Sequence, residues 1–285
     1  MPELIKMGEG IKFAEGPAYD GKGNLYVSNC DADYITRFDA EGKAEVVFPH
    51  TEDRFTYEKT NGMTFAQDGS LFACDFGRNA IVQIHPDGRM ELYADKCEDQ
   101  GFRGPNDLAF DPQGNLYFSD PTDSDAENPI GCVYRIAHGS RKVTKVAQGI
   151  AFPNGVALSA DAKTLYIAES SRFRILRAEV LPDGRLGTLE VYCQLPENHI
   201  PDGINFDLAG NLYAACYGPA LVSIISPNGN LAGTIPTPGT NVTNVEFGGK
   251  DLKTLYITEA QLGEVFKMQV EIGGLPLFYA PPNLL

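Results

Sequence analysis

Six positions of this 285-residue chain carry the same kind of side chain at the same phase of a repeat. Glu15, Asn61, Asn106, Asn154, Asp202 and Asn244 are all carboxylates or carboxamides. Oxygen donors of this type, without histidine or cysteine among them, suit a hard divalent cation such as Ca²⁺, Mg²⁺ or Mn²⁺ rather than structural zinc. Two carboxylates brought together, Glu15 and Asp202, would repel each other unless a cation lay between them. A plainer reading competes with this one, because Asn and Asp beside Gly or at strand starts are ordinary turn residues that satisfy local backbone N–H groups.

What must position these residues is a repeat that fills the chain. Each copy has a polar residue, usually a Gly, a short apolar strand, a turn, and then a Leu-aromatic pair. EGPAYDGKGNLYVSN begins at Glu15, NDLAFDPQGNLYFSD at Asn106 and DGINFDLAGNLYAAC at Asp202. The pair leucines are Leu25, Leu71, Leu116, Leu165, Leu212 and Leu255, spaced by 46, 45, 49, 47 and 43 residues. The segments alternate with period two and are rich in aromatic and β-branched residues, with turn chemistry such as Asp68-Gly69 and Asn228-Gly229 between them. In the second copy four strands are expected, over 63–66, 71–75, 81–85 and 90–94. Four short antiparallel strands per unit, six times over, predicts an all-β, six-bladed β-propeller in one domain spanning 1–285. The blades would start near residues 15, 61, 106, 154, 202 and 244.

Closure can be read from the first residues. Gly10-Ile11-Lys12-Phe13-Ala14-Glu15-Gly16 matches Gly149-Ile150-Ala151-Phe152-Pro153-Asn154-Gly155 in phase, and the second stretch joins two repeats. Residues 1–9 therefore complete the last blade, with 4–7 as the expected strand, and close the ring without free edges. Residues 275–279 compete for that place, but Pro276 has no N–H to give a ladder. In such a ring the first strand of every blade lines the central channel, so the six oxygen-bearing residues converge at its mouth.

A second phase, three residues after each aromatic, holds Asn29, Asp75, Asp120, Glu169, Cys216 and Glu259. Strand-end capping accounts for most of it; Asp120, in Phe118-Ser119-Asp120-Pro121, is retained as a substrate contact. His199 stands three residues before Asp202 and Arg103 three before Asn106, each on a loop leading into the channel, so both are candidates for touching substrate. The loops 49–60, 121–132 and 196–201 interrupt the repeat and are expected to rim the pocket, with Phe55, Tyr57 and Phe102 able to stack on a ring.

The balance of 23 Lys and Arg against 38 Asp and Glu, a net −15, opposes binding to nucleic acid or to anionic membrane surfaces. No run of about 18 apolar residues offers a membrane span. The first ten residues lack the cationic and apolar regions of a secretory signal, so the expected compartment is the cytoplasm. Six scattered cysteines without C-x-x-C read as reduced packing residues. No G-x-S-x-G elbow and no H-E-x-x-H occur, and the glycines from Gly16 to Gly23 lack the Ser or Thr and the helix that a phosphate loop needs.

Glu15-Gly16-Pro17, Pro105-Asn106-Asp107 with Tyr117-Phe118-Ser119-Asp120-Pro121, Phe152-Pro153-Asn154-Gly155, and Pro201-Asp202-Gly203 followed by Gly210-Asn211-Leu212-Tyr213 occur in order at blade spacing. Together they resemble the regucalcin (senescence marker protein) and gluconolactonase-like family, over about residues 10–268. The resemblance implies a six-bladed propeller with one divalent cation in the channel, calcium first among calcium, magnesium, manganese and zinc. It implies hydrolysis of sugar lactones, with Glu15, Asn154 and Asp202 as metal ligands and Asp202 also as general base. Asn106, Arg103, Asp120 and His199 would meet the substrate, a small-molecule lactone or sugar acid. A strained cyclic ester needs no covalent nucleophile, and none is visible in the sequence. Two alternatives stay open: an esterase or phosphotriesterase using the same cation, and a non-catalytic propeller that binds a ligand.

Overall fold

The computed structural model describes residues 3–49 and 55–281. These residues form six four-stranded antiparallel sheets, with one small hairpin pairing Lys96–Cys97 with Gln100–Gly101. The innermost strands are Ala14–Tyr19, Thr60–Phe65, Leu108–Phe110, Pro153–Leu158, Ile200–Phe206 and Val242–Gly248, in blades 1 to 6. Each touches the innermost strand of the blades before and after it, and the first also touches the sixth. The ring is therefore closed, and blades 1 and 4 face each other across the channel. Among the described residues no helix is long and apolar enough to cross a membrane.

The expected closure is present. Ile5–Glu9 pairs antiparallel with Glu264–Gln269 and forms the outer strand of the sixth blade, Ile5 opposite Lys267 and Glu9 opposite Glu264. Residues 275–279 form no ladder. They cross the far end of the channel instead, where the Leu275 N–H donates to the Phe206 carbonyl at 2.8 Å. Leu277 packs on the core of blade 1, Phe278 on that of blades 3 and 4, and Tyr279 lies 5.3 Å from the Phe110 ring. This tail is a floor under the channel.

The repeat explains the packing. Every leucine of the Leu-aromatic pair is at most 1% exposed, and burying such a side chain contributes roughly 1.5–3 kcal/mol. The hairpins between first and second strands are set by Asx turns. Asp20, Asp111 and Asp207 each accept N–H groups from residues two and four ahead with one carboxylate oxygen, and hold the amide of the following Asn with the other. In the second blade the observed strands are Thr60–Phe65, Leu71–Asp75, Ala80–Ile84 and Met90–Ala94. The second and fourth begin where the alternation predicts, the third begins one residue earlier, and the innermost extends upstream past Asn61 through a β-bulge.

Candidate active site

The innermost strands carry all six oxygen-bearing residues except Asn106, which lies two residues before its strand. The sequence places them before the strands; the structure places most of them within, because bulges between Glu15 and Ala18, Thr60 and Met63, and Pro201 and Ile204 lengthen the strands at the top. A bulge re-aims side chains locally.

Two glycines let neighbouring blades approach here. A Cβ on Gly155 would fall 2.5 Å from the Asp202 carbonyl oxygen, and one on Gly203 would fall 2.0 Å from the Asn244 side chain. The pattern of a polar residue followed by Gly is thus a packing requirement, and it brings Asn154, Asp202 and Asn244 side by side.

Asn154 stands beside Asp202 and Asn244 beside Glu15, each favouring the charged form of the neighbouring carboxyl. Glu15 is 3% and Asp202 8% exposed. Burial pushes the Glu15 carboxyl up to about 8, with Asp107 adding to the shift. Asp202 is raised well above the ordinary carboxylate range, first by burial, then by the charge of Glu15 and that of Asp107. Asp107, the residue after Asn106, is itself buried and raised to about 6 by desolvation. Glu246, lower in the channel, is raised by burial to about 8. Among the described residues no lysine, arginine or histidine forms an ion pair with any of these four acids. Asp107, Asn205, Asn244 and Glu246 line a cavity of about 60 Å³ closed below by residues 275–278.

The donor set fits a hard cation: buried carboxylates, amide oxygens, and no cationic side chain to neutralise them. Among the described residues no three His, Cys, Asp or Glu side chains gather as a metal cluster, so ligation here would draw on amide oxygen as well as on Glu15 and Asp202.

The second phase turns out to position the first. Asn29 accepts the Lys12 N–H at 2.9 Å, Asp75 those of Glu58 and Lys59, Asp120 that of Arg103, Glu169 that of Ala151 and Glu259 that of Asn241. Each clasps the loop leading into its own innermost strand. In blade 5 the equivalent Cys216 makes no such clasp. There the His199 Nδ1 meets the Ser223 hydroxyl at 3.2 Å, and burial lowers the pKa of this histidine. Asp120 and His199 thus hold the backbone near the mouth. Arg103 is 53% exposed in its side chain and paired with Asp123 at 3.2 Å.

Tyr57 and Phe102, expected at the rim, are instead buried: Tyr57 donates its hydroxyl to the Phe48 carbonyl, and Phe102 packs between Phe118 and Tyr134. Phe55 is half-buried beneath Arg78. Sequence reasoning also passed over Asp107 and Glu246, whose signal is an acid immediately before an apolar innermost strand, Leu108–Phe110, or within one, Val242–Gly248.

Residues 13–261 match a family model described as the SMP-30/gluconolactonase/LRE-like region. The chain belongs to this family. It is 30% identical over 275 residues to the gluconolactonase of Zymomonas mobilis, covering 87% of this chain and 76% of that protein. It is 25% identical over 297 residues to the diisopropyl-fluorophosphatase of Loligo vulgaris, covering 96% and 94%. Among solved structures, a gluconolactonase from Xanthomonas campestris superposes with a TM-score of 0.82 at 25% identity, covering 94% of this chain and 89% of that one. The calcium-binding protein regucalcin of Agrobacterium tumefaciens shares the fold, with a TM-score of 0.81 at 21% identity, covering 98% and 97%.

Proposed function

We propose that the protein is a divalent-cation-dependent lactone hydrolase. The observation that carries this reading is the pair of buried carboxylates, Glu15 and Asp202, facing one channel with carboxamides and the buried Asp107 around them and, among the described residues, no cationic side chain paired to them. Glu15, Asn154 and Asp202 would hold the cation, with calcium the first to test, since the regucalcin of similar fold is described as calcium-binding. Bound there, such an ion supplies neutralisation of the two acids and polarisation of an ester carbonyl.

The chain's own residues do the rest. Asp202 takes the proton of an attacking water, a role typically worth about 10² to 10⁴ in rate. Asn154, beside Asp202, orients it and favours its charged form. Asn106 touches the substrate or its water from blade 3, and Arg103 reaches the outer part of the substrate. Asp120 and His199 serve the same contact by fixing the loops of Arg103 and Asp202. The relatives named gluconolactonase support the lactone assignment. The relative named diisopropyl-fluorophosphatase supports a second activity, phosphotriester hydrolysis at the same carboxylates.

The test is hydrolysis of a panel of lactones, esters and phosphotriesters, followed by proton release, with calcium, magnesium or manganese and with a strong chelator. Turnover that calcium restores after chelation is expected. Full turnover in chelator would remove the cation from the mechanism, and no hydrolysis of any member would return the protein to a binding role.

A further inference from the structure

Two phenylalanines occupy matched places above the site. Phe13 and Phe152 each stand two residues before a proposed cation ligand, Glu15 and Asn154, on blades 1 and 4, which face each other across the channel. Both have a left-handed backbone, with φ of 58° and 60°. The surrounding bonds match as well. The Phe13 carbonyl accepts the Cys30 N–H and the Phe152 carbonyl that of Ser170, while the residue before each donates its N–H to Asn29 or Glu169.

Glycine adopts this conformation without steric cost, and a bulky residue there is an outlier. A position that needed only the turn would be filled most cheaply by glycine, so it is the ring that both positions retain. The rings do not serve the interior. Both are half-buried, neither belongs to or packs against any of the six hydrophobic clusters, and among the described residues neither contacts another aromatic ring. Meanwhile the longer polar side chains on the loops around the mouth already have partners, Arg103 with Asp123, Arg172 with Glu169 and the Ala126 carbonyl, His199 with Ser223, which leaves the short carboxamides Asn61 and Asn106 to meet hydroxyl groups. Unpartnered apolar rings held by a strained backbone at a binding mouth are a specificity device.

We propose that Phe13 and Phe152 form an apolar clamp, and that the preferred substrates are lactones bearing an alkyl chain or aromatic ring rather than polyhydroxylated sugar lactones. This rests on the lactone-hydrolase reading and narrows it.

The experiment measures kcat and KM of the calcium-loaded protein on glucono-δ-lactone, unsubstituted δ-valerolactone and a δ-lactone carrying a long alkyl chain. The alkylated lactone is expected to lead glucono-δ-lactone in kcat/KM by about tenfold or more, the scale of discrimination an apolar pocket supplies. In Phe13→Ala and Phe152→Ala the ratio of kcat/KM for the alkylated over the unsubstituted lactone should fall about tenfold, mainly through KM. Phe152→Leu should recover most of it, and Phe13→Gly, which frees the backbone, should lose as much selectivity as Phe13→Ala. A wild-type preference for glucono-δ-lactone overturns the proposal, as does an equal loss on all three lactones in folded variants. Those outcomes leave lactone hydrolysis standing. Failure to hydrolyse any lactone overturns both readings together.

Discussion

Asp107 Oδ2 accepts the backbone N–H of Val156 at 3.0 Å, tying blade 3 to blade 4 one layer below the ring of oxygen donors. At this phase blades 1, 2, 4 and 5 carry glycine, and blade 3 carries a carboxylate that reaches across the junction. Both partners are buried. Asp107→Ala leaves that N–H without an acceptor, at a cost of about 1–3 kcal/mol in unfolding free energy. Asp107→Asn keeps an oxygen in place and should recover most of it; chemical denaturation of the three proteins is the check.

The metal-free protein should lose stability as the solution becomes more alkaline. Glu15 and Glu246 titrate near 8 in the folded chain and Asp107 near 6, all raised by burial, whereas an unfolded carboxyl titrates near 4. A raised acid binds more protons folded than unfolded, so stability is greatest below the unfolded value and falls as pH rises from about 4.5 through about 8. Thermal melts in chelator at pH 5 and pH 8 should therefore show the lower midpoint at pH 8. Glu246→Gln should narrow the difference, and a midpoint that rises over this interval would contradict the burial argument.

Binding of a divalent cation should release protons at pH 7, since acids held protonated by burial must ionise to ligate. Calorimetric titration in two buffers of different ionisation enthalpy reads that number directly. Glu15→Gln should weaken binding at least tenfold and reduce the proton count.

Asp202→Asn removes the proposed base while keeping the size of the side chain and an oxygen ligand. Turnover of the best lactone should fall by about 10² or more, with the circular dichroism spectrum unchanged. Asp202→Ala should fall further, because the contact with Asn154 is lost too.

Gly155→Ala tests the close approach of blades 4 and 5. The added methyl would meet the Asp202 carbonyl oxygen at 2.5 Å and the Ile204 amide nitrogen at 2.7 Å. Backbone on both sides cannot yield as a side chain tip would, so the variant should lose about 1–3 kcal/mol and, by moving Asp202, most of its turnover.

The propeller was legible because each blade repeats the same alternation and the same inner leucine, and a closed ring is the arrangement that gives the strand Ile5–Glu9 a partner. The phase of Glu15, Asn154 and Asp202 was legible for the same reason. Other features were not, because they depend on contacts between segments that lie apart along the chain. Asp120 resembles a substrate contact when only its own strand is considered; its bond to the Arg103 N–H appears once the loop folds back. Tyr57 and Phe102 are aromatic residues on irregular segments, and only packing shows that both lie inside the core. Glu246 is masked by the apolar strand around it, and Phe13 by the fact that φ leaves no mark on residue type unless glycine is used.

Residues 275–279 lie across the far end of the channel, opposite the mouth at Glu15 and Asp202. On the lactone-hydrolase reading, a lactone too large to pass that tail would enter, and its hydroxy acid leave, by the same mouth. The acid has to depart before the next ring can enter, so it competes with substrate for one berth rather than leaving behind it. Traffic through the molecule is two-way on one lane, and the rate at which product backs out sets an upper bound on how fast the carboxylates beneath can be used again.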